Sequence, residues 1–177
     1  DGIYDWNRFY PRIVEGIRAV DSQTPIPVGS MSWSAVRWLP WLKPVDDPRI
    51  VYLVHQYEPQ DSYTHQDLPA LNTYPGSFDL DWDSQPDAFD RDWLEAFLAP
   101  IDEFKAKYGA PVSVNEFGIY RWVPDAADFM RDEMELFEQI GMNHAFWVWD
   151  PNWRPWAESV TEMNYRFGPD PENAAPV

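Results

Sequence analysis

Residues 50–55, Ile-Val-Tyr-Leu-Val-His, form an unbroken apolar run of strand length, rich in β-branched and aromatic side chains. A strand apolar on both faces belongs inside a parallel sheet, which removes most antiparallel solutions. The pattern alternates around it. Residues 8–20 predict a helix with Phe9, Ile13, Ile17 and Val20 on its buried stripe, Pro11 being tolerable only near the first turn. Pro25 to Val28 resume as a short extended run. Residues 87–107 predict a helix carrying Phe89, Trp93, Phe97 and Phe104, kinked or restarted at Pro100 and ended by Gly109. Residues 111–116 read as a strand. Pro124-Asp125 then opens a helix with Ala126, Phe129, Met130, Met134, Phe137 and Ile140 along one face, stopped by Gly141. Residues 144–149 predict a fourth strand and residues 157–166 a short last helix. No hairpin turn signal separates the strands, so the order implies parallel strands joined by right-handed crossovers, an α/β fold.

Composition narrows the function classes. The chain has 30 Asp and Glu against 13 Lys and Arg, a net charge of −17, so a nucleic-acid backbone would be repelled. It has no cysteine, which excludes a disulfide scaffold, a thiolate metal site and a cysteine nucleophile. No apolar run approaches the roughly 20 residues of a membrane span, and the first residues lack a signal pattern. The 11 Trp, 9 Tyr and 10 Phe are either a heavy core or a stacking surface for an uncharged partner such as a sugar. Many follow strand ends: Trp33, Trp38, Trp41, Tyr57, Tyr63, Trp122, Trp153 and Trp156. The long loops lie there too, at about 30–44, 56–86, 117–124 and 150–156. The stretch 58–85 is polar and without a period, a length that in a compact domain is usually functional. Loops after strands are where β/α barrels carry their active sites.

Alternation groups Val51, Leu53, His55 and Tyr57 on one side, then Val112, Val114 and Glu116, then Ala145, Trp147 and Trp149. If those faces line one interior, His55, Tyr57, Glu116 and Trp147 converge at one rim. Glu116 ends a Val-rich strand, where a carboxylate either emerges into solvent or is hydrogen-bonded and used. Taken singly, His55 is a rim histidine, Tyr57 rim packing, and Trp147 and Trp149 core aromatics; the convergence is what favours a site. His65 and His144 have no second ligand at a metal-binding spacing, so no metal or cofactor is expected. Glu133, Glu135 and Glu138 read as the wet face of a helix.

The motifs HQYEP (55–59) with THQ (64–66), VNEFG (114–118) and FWVWDP (146–151) resemble the second half of glycoside hydrolase family 5, the cellulase-type family, with the likeness running from about Tyr4 to the end. That resemblance implies a (β/α)8 TIM-barrel fold and a retaining hydrolysis of β-linked glycans by two carboxyl groups. It implies that Glu116 is the nucleophile, that His55 and Tyr57 orient it, and that Trp147 forms the floor of the cleavage subsite. Trp149 is the alternative register of that Trp, and Trp33 and Asn115 join the substrate-binding set. Family members hold their acid/base in an Asn-Glu-Pro motif, and this sequence contains none; its one Asn-Glu pair is Asn115-Glu116. Glu58 and Asp150 are the internal substitutes, though alternation points both away from Glu116.

Only about four β/α units are recognisable where a closed barrel needs eight. Residues 1–177 are therefore expected to be the C-terminal half of a barrel catalytic domain, weak or inactive alone, completed by a missing N-terminal half or by a second copy in a homodimer. The partner molecule is a β-glycan or oligosaccharide, and a polymer substrate implies a secreted or periplasmic protein. Two other readings stay open: a carbohydrate-binding module without chemistry, and a structural half-domain that needs a partner chain.

Overall fold

A computed structural model describes residues 5–148 and 161–172. Helix α1 (Trp6–Arg18) is capped by the Asp5 carboxylate, which accepts from the Asn7 N–H at 3.0 Å. Strand β1 (Ile26–Gly29), the short turn α2 (Met31–Ser34) and a 3₁₀ segment (Val36–Trp41) lead to strand β2 (Ile50–Gln56). A π-helical turn (Gln60–Thr64) and the antiparallel pair β3 (Gly76–Phe78) and β4 (Asp87–Phe89) precede helix α3 (Arg91–Tyr108). Strand β5 (Val112–Phe117), helix α4 (Ala126–Ile140) and strand β6 (Asn143–His144) follow, with 3₁₀ turns at Thr161–Met163 and Tyr165–Phe167.

The main sheet has the order β1-β2-β5-β6, every pair parallel, as the apolar run and crossovers predict. It is an open sheet rather than a closed barrel. Tyr52, Val54 and Gln56 of β2 and Val112, Val114 and Phe117 of β5 are buried in the layer that the helices cover. The opposite face, with Val51, Leu53, His55, Ser113 and Glu116, is only half-buried. That is the face a complete barrel would enclose.

Several sequence expectations change. The stripe Phe9, Ile13 and Ile17 of α1 is 50, 41 and 39 % exposed, and Val20 beyond the helix 91 %, while Tyr10 and Val14 are buried. The helix carries two apolar stripes, and the one beginning at Trp6 packs: the Trp6 indole N–H donates to the Gly29 carbonyl at 2.9 Å and the Tyr10 hydroxyl to the Lys43 carbonyl. Helix α3 starts at Arg91 rather than 87 and runs unbroken through Pro100, held by Leu94, Leu98, Ile101 and Phe104 in the core. Its end at Gly109, in the left-handed region at φ 61°, is as expected.

The polar stretch 58–85 is folded, not structureless, and it contains half of a hairpin pair. Tyr63, Tyr74 and Phe89 bury their rings against Phe129 of α4, with centroids 5.3, 5.3 and 5.8 Å from it. Tyr63 is therefore core and not rim. Strand β6 ends at His144 instead of 149, although Ala145 and Trp147 still donate their N–H groups to Val114 and Phe117. The expected last helix is a pair of 3₁₀ turns where it is described, and Trp149, Asp150, Trp153 and Trp156 lie outside the described residues.

Glu133 is the largest departure. It is 0 % exposed on α4, not on a wet face. Its position four residues from both Phe129 and Phe137 places it on the apolar stripe, a spacing that the helical period makes readable.

Candidate functional site

Strands β2 and β5 pair in register as far as Val54 and Val114, then slip: His55 lies opposite Glu116, and Asn115 is skipped. Such a bulge adds one residue to one strand and inverts the side-chain alternation beyond it. The grouping of Glu116 with Val112 and Val114 is thereby overturned. The two valines face the helices, and Glu116 emerges on the open face beside His55.

There the Tyr57 hydroxyl donates to Glu116 Oε2 at 3.1 Å, and His55 Nδ1 stands 3.5 Å from the same oxygen. Among the described residues nothing bonds to the other carboxylate oxygen. Burial, and then the neighbouring Glu116 charge, push the Tyr57 hydroxyl well above its ordinary titration range, so it stays a donor. The backbone of Tyr57 is held as well, since the Thr64 hydroxyl donates to its carbonyl. These groups open into a cavity of about 580 Å³ whose wall also includes Trp33, Arg37 and Glu58.

Trp33 is 88 % exposed. It projects from three consecutive left-handed residues, Ser32 (φ 54°), Trp33 (φ 53°) and Ser34 (φ 62°). Each non-glycine residue in that region costs on the order of 1–2 kcal/mol, and strain of this kind concentrates where a side chain must be aimed. Glu58 lines the same cavity, contrary to the alternation argument, because the strand stops at Gln56; its carboxylate accepts from the Gln60 N–H at 3.2 Å and lies 3.9 Å from Arg37. Trp147 is half-buried outside that lining, tied through its N–H to the Phe117 carbonyl at 2.7 Å. Asn115 is exposed at the bulge.

Gly118 explains itself only in three dimensions. A Cβ there would lie 2.3 Å from the Trp147 carbonyl oxygen, so only glycine lets the chain after β6 pass this close to the end of β5.

His65 packs edge-on against the Tyr57 ring, centroids 5.2 Å apart, and against Tyr120 at 4.8 Å. Burial lowers its pKa to about 4. The folded state therefore binds its proton less readily than the unfolded chain, whose histidines titrate near ~6.5. Stability is expected to fall as pH drops from about 6.5 to 4, by up to about 3 kcal/mol from this group. Urea titrations at both ends of that window check it: His65→Gln should flatten the loss, and an equal loss in both proteins would reject the assignment.

For a cation, Asp79, Asp81 and Asp87 bring carboxylate oxygens within 4.8 Å of one another. Their oxygens accept from the N–H groups of Trp82, Ser84, Asp83 and Leu80 in the same turn, and none of the three lines the cavity. No helix among the described residues is long and apolar enough to cross a membrane.

Comparison with known proteins gives the family and the fold. Endoglucanase 3 of Fibrobacter succinogenes is 29 % identical over 79 residues, 42 % of this chain and 12 % of that protein. A hyperthermophilic endo-beta-1,4-glucanase solved with its substrate superposes with a TM-score of 0.69 at 22 % identity, over 89 % of this chain and 51 % of its own. Endoglucanase Cel5A of Thermotoga maritima gives 0.66 at 22 % identity, over 82 % and 47 %. The chain thus has the fold of the two solved enzymes over about half of their length and spans about an eighth of Endoglucanase 3. Residues 2–153 match the family described as Cellulase (glycosyl hydrolase family 5), and the chain belongs to that family.

Proposed function

We propose that this chain is the C-terminal half of a retaining β-glycan hydrolase of the endoglucanase type. Glu116 is its nucleophile, and Tyr57 and His55 orient the carboxylate. The observation that carries the reading is the pair of contacts on one oxygen of Glu116, which leaves the other free to attack an anomeric carbon at the open ends of the strands. Attack forms a glycosyl ester as an acid protonates the leaving oxygen; water then cleaves the ester. Trp33 stacks on a sugar ring at the rim, and Trp147, Trp149 and Asn115 complete the sugar contacts. The acid/base comes from an Asn-Glu-Pro motif on the complementary half, since this sequence holds none. The substrate is a β-linked glucan, met outside the cytoplasm in a secreted or periplasmic setting. The test is release of reducing sugar from a soluble β-glucan by this chain joined to four β/α units that carry the motif. Turnover that appears on joining supports the reading. Equal turnover by the unjoined chain, surviving Glu116→Gln, would overturn it.

A second reading is favoured by the exposed stripe Phe9, Ile13 and Ile17 and the half-open sheet face. On it the chain is a sugar-binding or structural half-barrel that associates with a second copy, closing an eight-stranded assembly. Light scattering at micromolar concentration is expected to give a dimer mass, and a monomer would remove this reading.

A further inference from the structure

The mechanism above leaves one buried acid unused. Glu133 of α4 and Gln56 of β2 are both 0 % exposed, on the helix-covered side of the sheet directly behind the site. Neither oxygen of Glu133 has a hydrogen-bond partner, and neither has Gln56 Oε1. Gln56 Nε2 gives one N–H to the Glu58 carbonyl at 2.9 Å, and its second N–H is on the Glu133 side. Three acceptor oxygens thus share a dry pocket in which the second Gln56 N–H is the one donor at hand, too few for them all, an arrangement that folded proteins avoid. One proton resolves it: on Glu133 it turns an acceptor into a donor beside Gln56.

We propose that Glu133 stays protonated and donates to the side-chain carbonyl of Gln56, making the pair a positioning element for Tyr57. The Gln56 amide, fixed at its oxygen, holds the Glu58 carbonyl; the Thr64 hydroxyl holds that of Tyr57. The residue that reaches Glu116 is thereby clamped along its backbone. Burial drives the Glu133 carboxyl well above its ordinary range against a smaller opposite pull from the Gln56 amide, and the groups that face it are Gln56 of β2, Tyr57 just beyond it and Tyr165 from the last 3₁₀ turn. Among the described residues no lysine or arginine pairs with it. The inference rests on the reading of Tyr57 and Glu116 as the reacting pair, but its test does not use turnover.

Carboxyl-carbon and tyrosine-ring NMR of the 177-residue chain decides it. Glu133 is expected to remain protonated at neutral pH while Glu135 and Glu138 ionise; Glu133 titrating with them would overturn the proposal. The folded-state value lies above the roughly 4.3 of an unfolded Glu, so the stabilisation is complete below about pH 4 and is lost as pH rises through the folded value. Glu133→Gln should accordingly gain on the wild type in melting temperature between about pH 4 and 8, while its Tyr57 ring signals stay in place because an amide still donates to Gln56. The double variant E133L/Q56L removes all three orphan oxygens and should keep the fold. Its Tyr57 ring signals are expected to shift and broaden. Unmoved signals in a folded double variant would reduce the pair to a packing role and reject the positioning one. Loss of hydrolysis in the joined enzyme with these signatures intact would count against the hydrolase reading instead.

Discussion

Glu116→Gln is expected to lower turnover of a soluble β-glucan by the completed barrel at least about a thousandfold. The amide cannot ionise and cannot form a stable glycosyl ester, so the first of the two displacement steps is lost rather than slowed. The substitution is nearly isosteric, and Glu116 is half-exposed, so stability should move little. The contrast with Tyr57→Phe sharpens the assignment. That variant removes the 3.1 Å bond and leaves His55 at 3.5 Å, which should cost about tenfold to a hundredfold, the worth of one hydrogen bond to a charged group. Equal losses from the two substitutions would mean that Glu116 orients another group and does not itself attack the sugar. A chain that binds the glucan equally in all three forms without turnover would favour the binding-module reading.

Phe129→Ala is expected to cost about 3–5 kcal/mol, a large share of the roughly 5–15 kcal/mol that holds a domain of this size. Phe129 is fully buried, and its ring meets Tyr63, Tyr74 and Phe89, which all come from the segment between β2 and α3. Truncation leaves a cavity where two parts of the chain meet. The urea midpoint should fall, and chymotryptic cleavage should appear between residues 60 and 90, a stretch rich in Tyr, Phe and Trp. A loss below about 1 kcal/mol would mean that the segment is not packed on α4 as described. The same contact orders the site indirectly, because Thr64, at the end of the π-helical turn, holds the Tyr57 carbonyl.

What could be read in the sequence follows the range of the physics involved. The run at 50–55 and the glycines at 109 and 141 are short-range signals, and they placed β2 and the ends of α3 and α4 within a residue or two. The motifs around His55, Tyr57 and Glu116 led to the right strand ends for the same reason. The face on which Glu116 stands was not legible. Period-two counting assumes an unbroken ladder, and the slip past Asn115 arises from pairing with β2, a partner 60 residues away in the chain. The exposed stripe of α1 failed differently: two apolar stripes were available, and the tertiary contacts of Trp6 and Tyr10 chose between them. The packing of Tyr63 and Tyr74 on Phe89 was not legible, because a self-packed loop, rich in Pro, Asp and Ser, has no period to detect. Glu133 was discounted by its type, although its spacing lay on the core stripe.

The skipped residue at Asn115 governs water as much as direction. One layer behind the open face, Glu133 shows what the helix side of this sheet does to a carboxyl group: it is dry and keeps its proton well above the ordinary range. The same sequence paired without the slip would set Asn115 opposite His55 and Glu116 opposite Gln56, turning the carboxylate toward that layer. Its side chain would then be an acid where the proposed chemistry needs an anion; one slipped residue thus sets the hydration of the carboxylate, with every reactive group still in the chain.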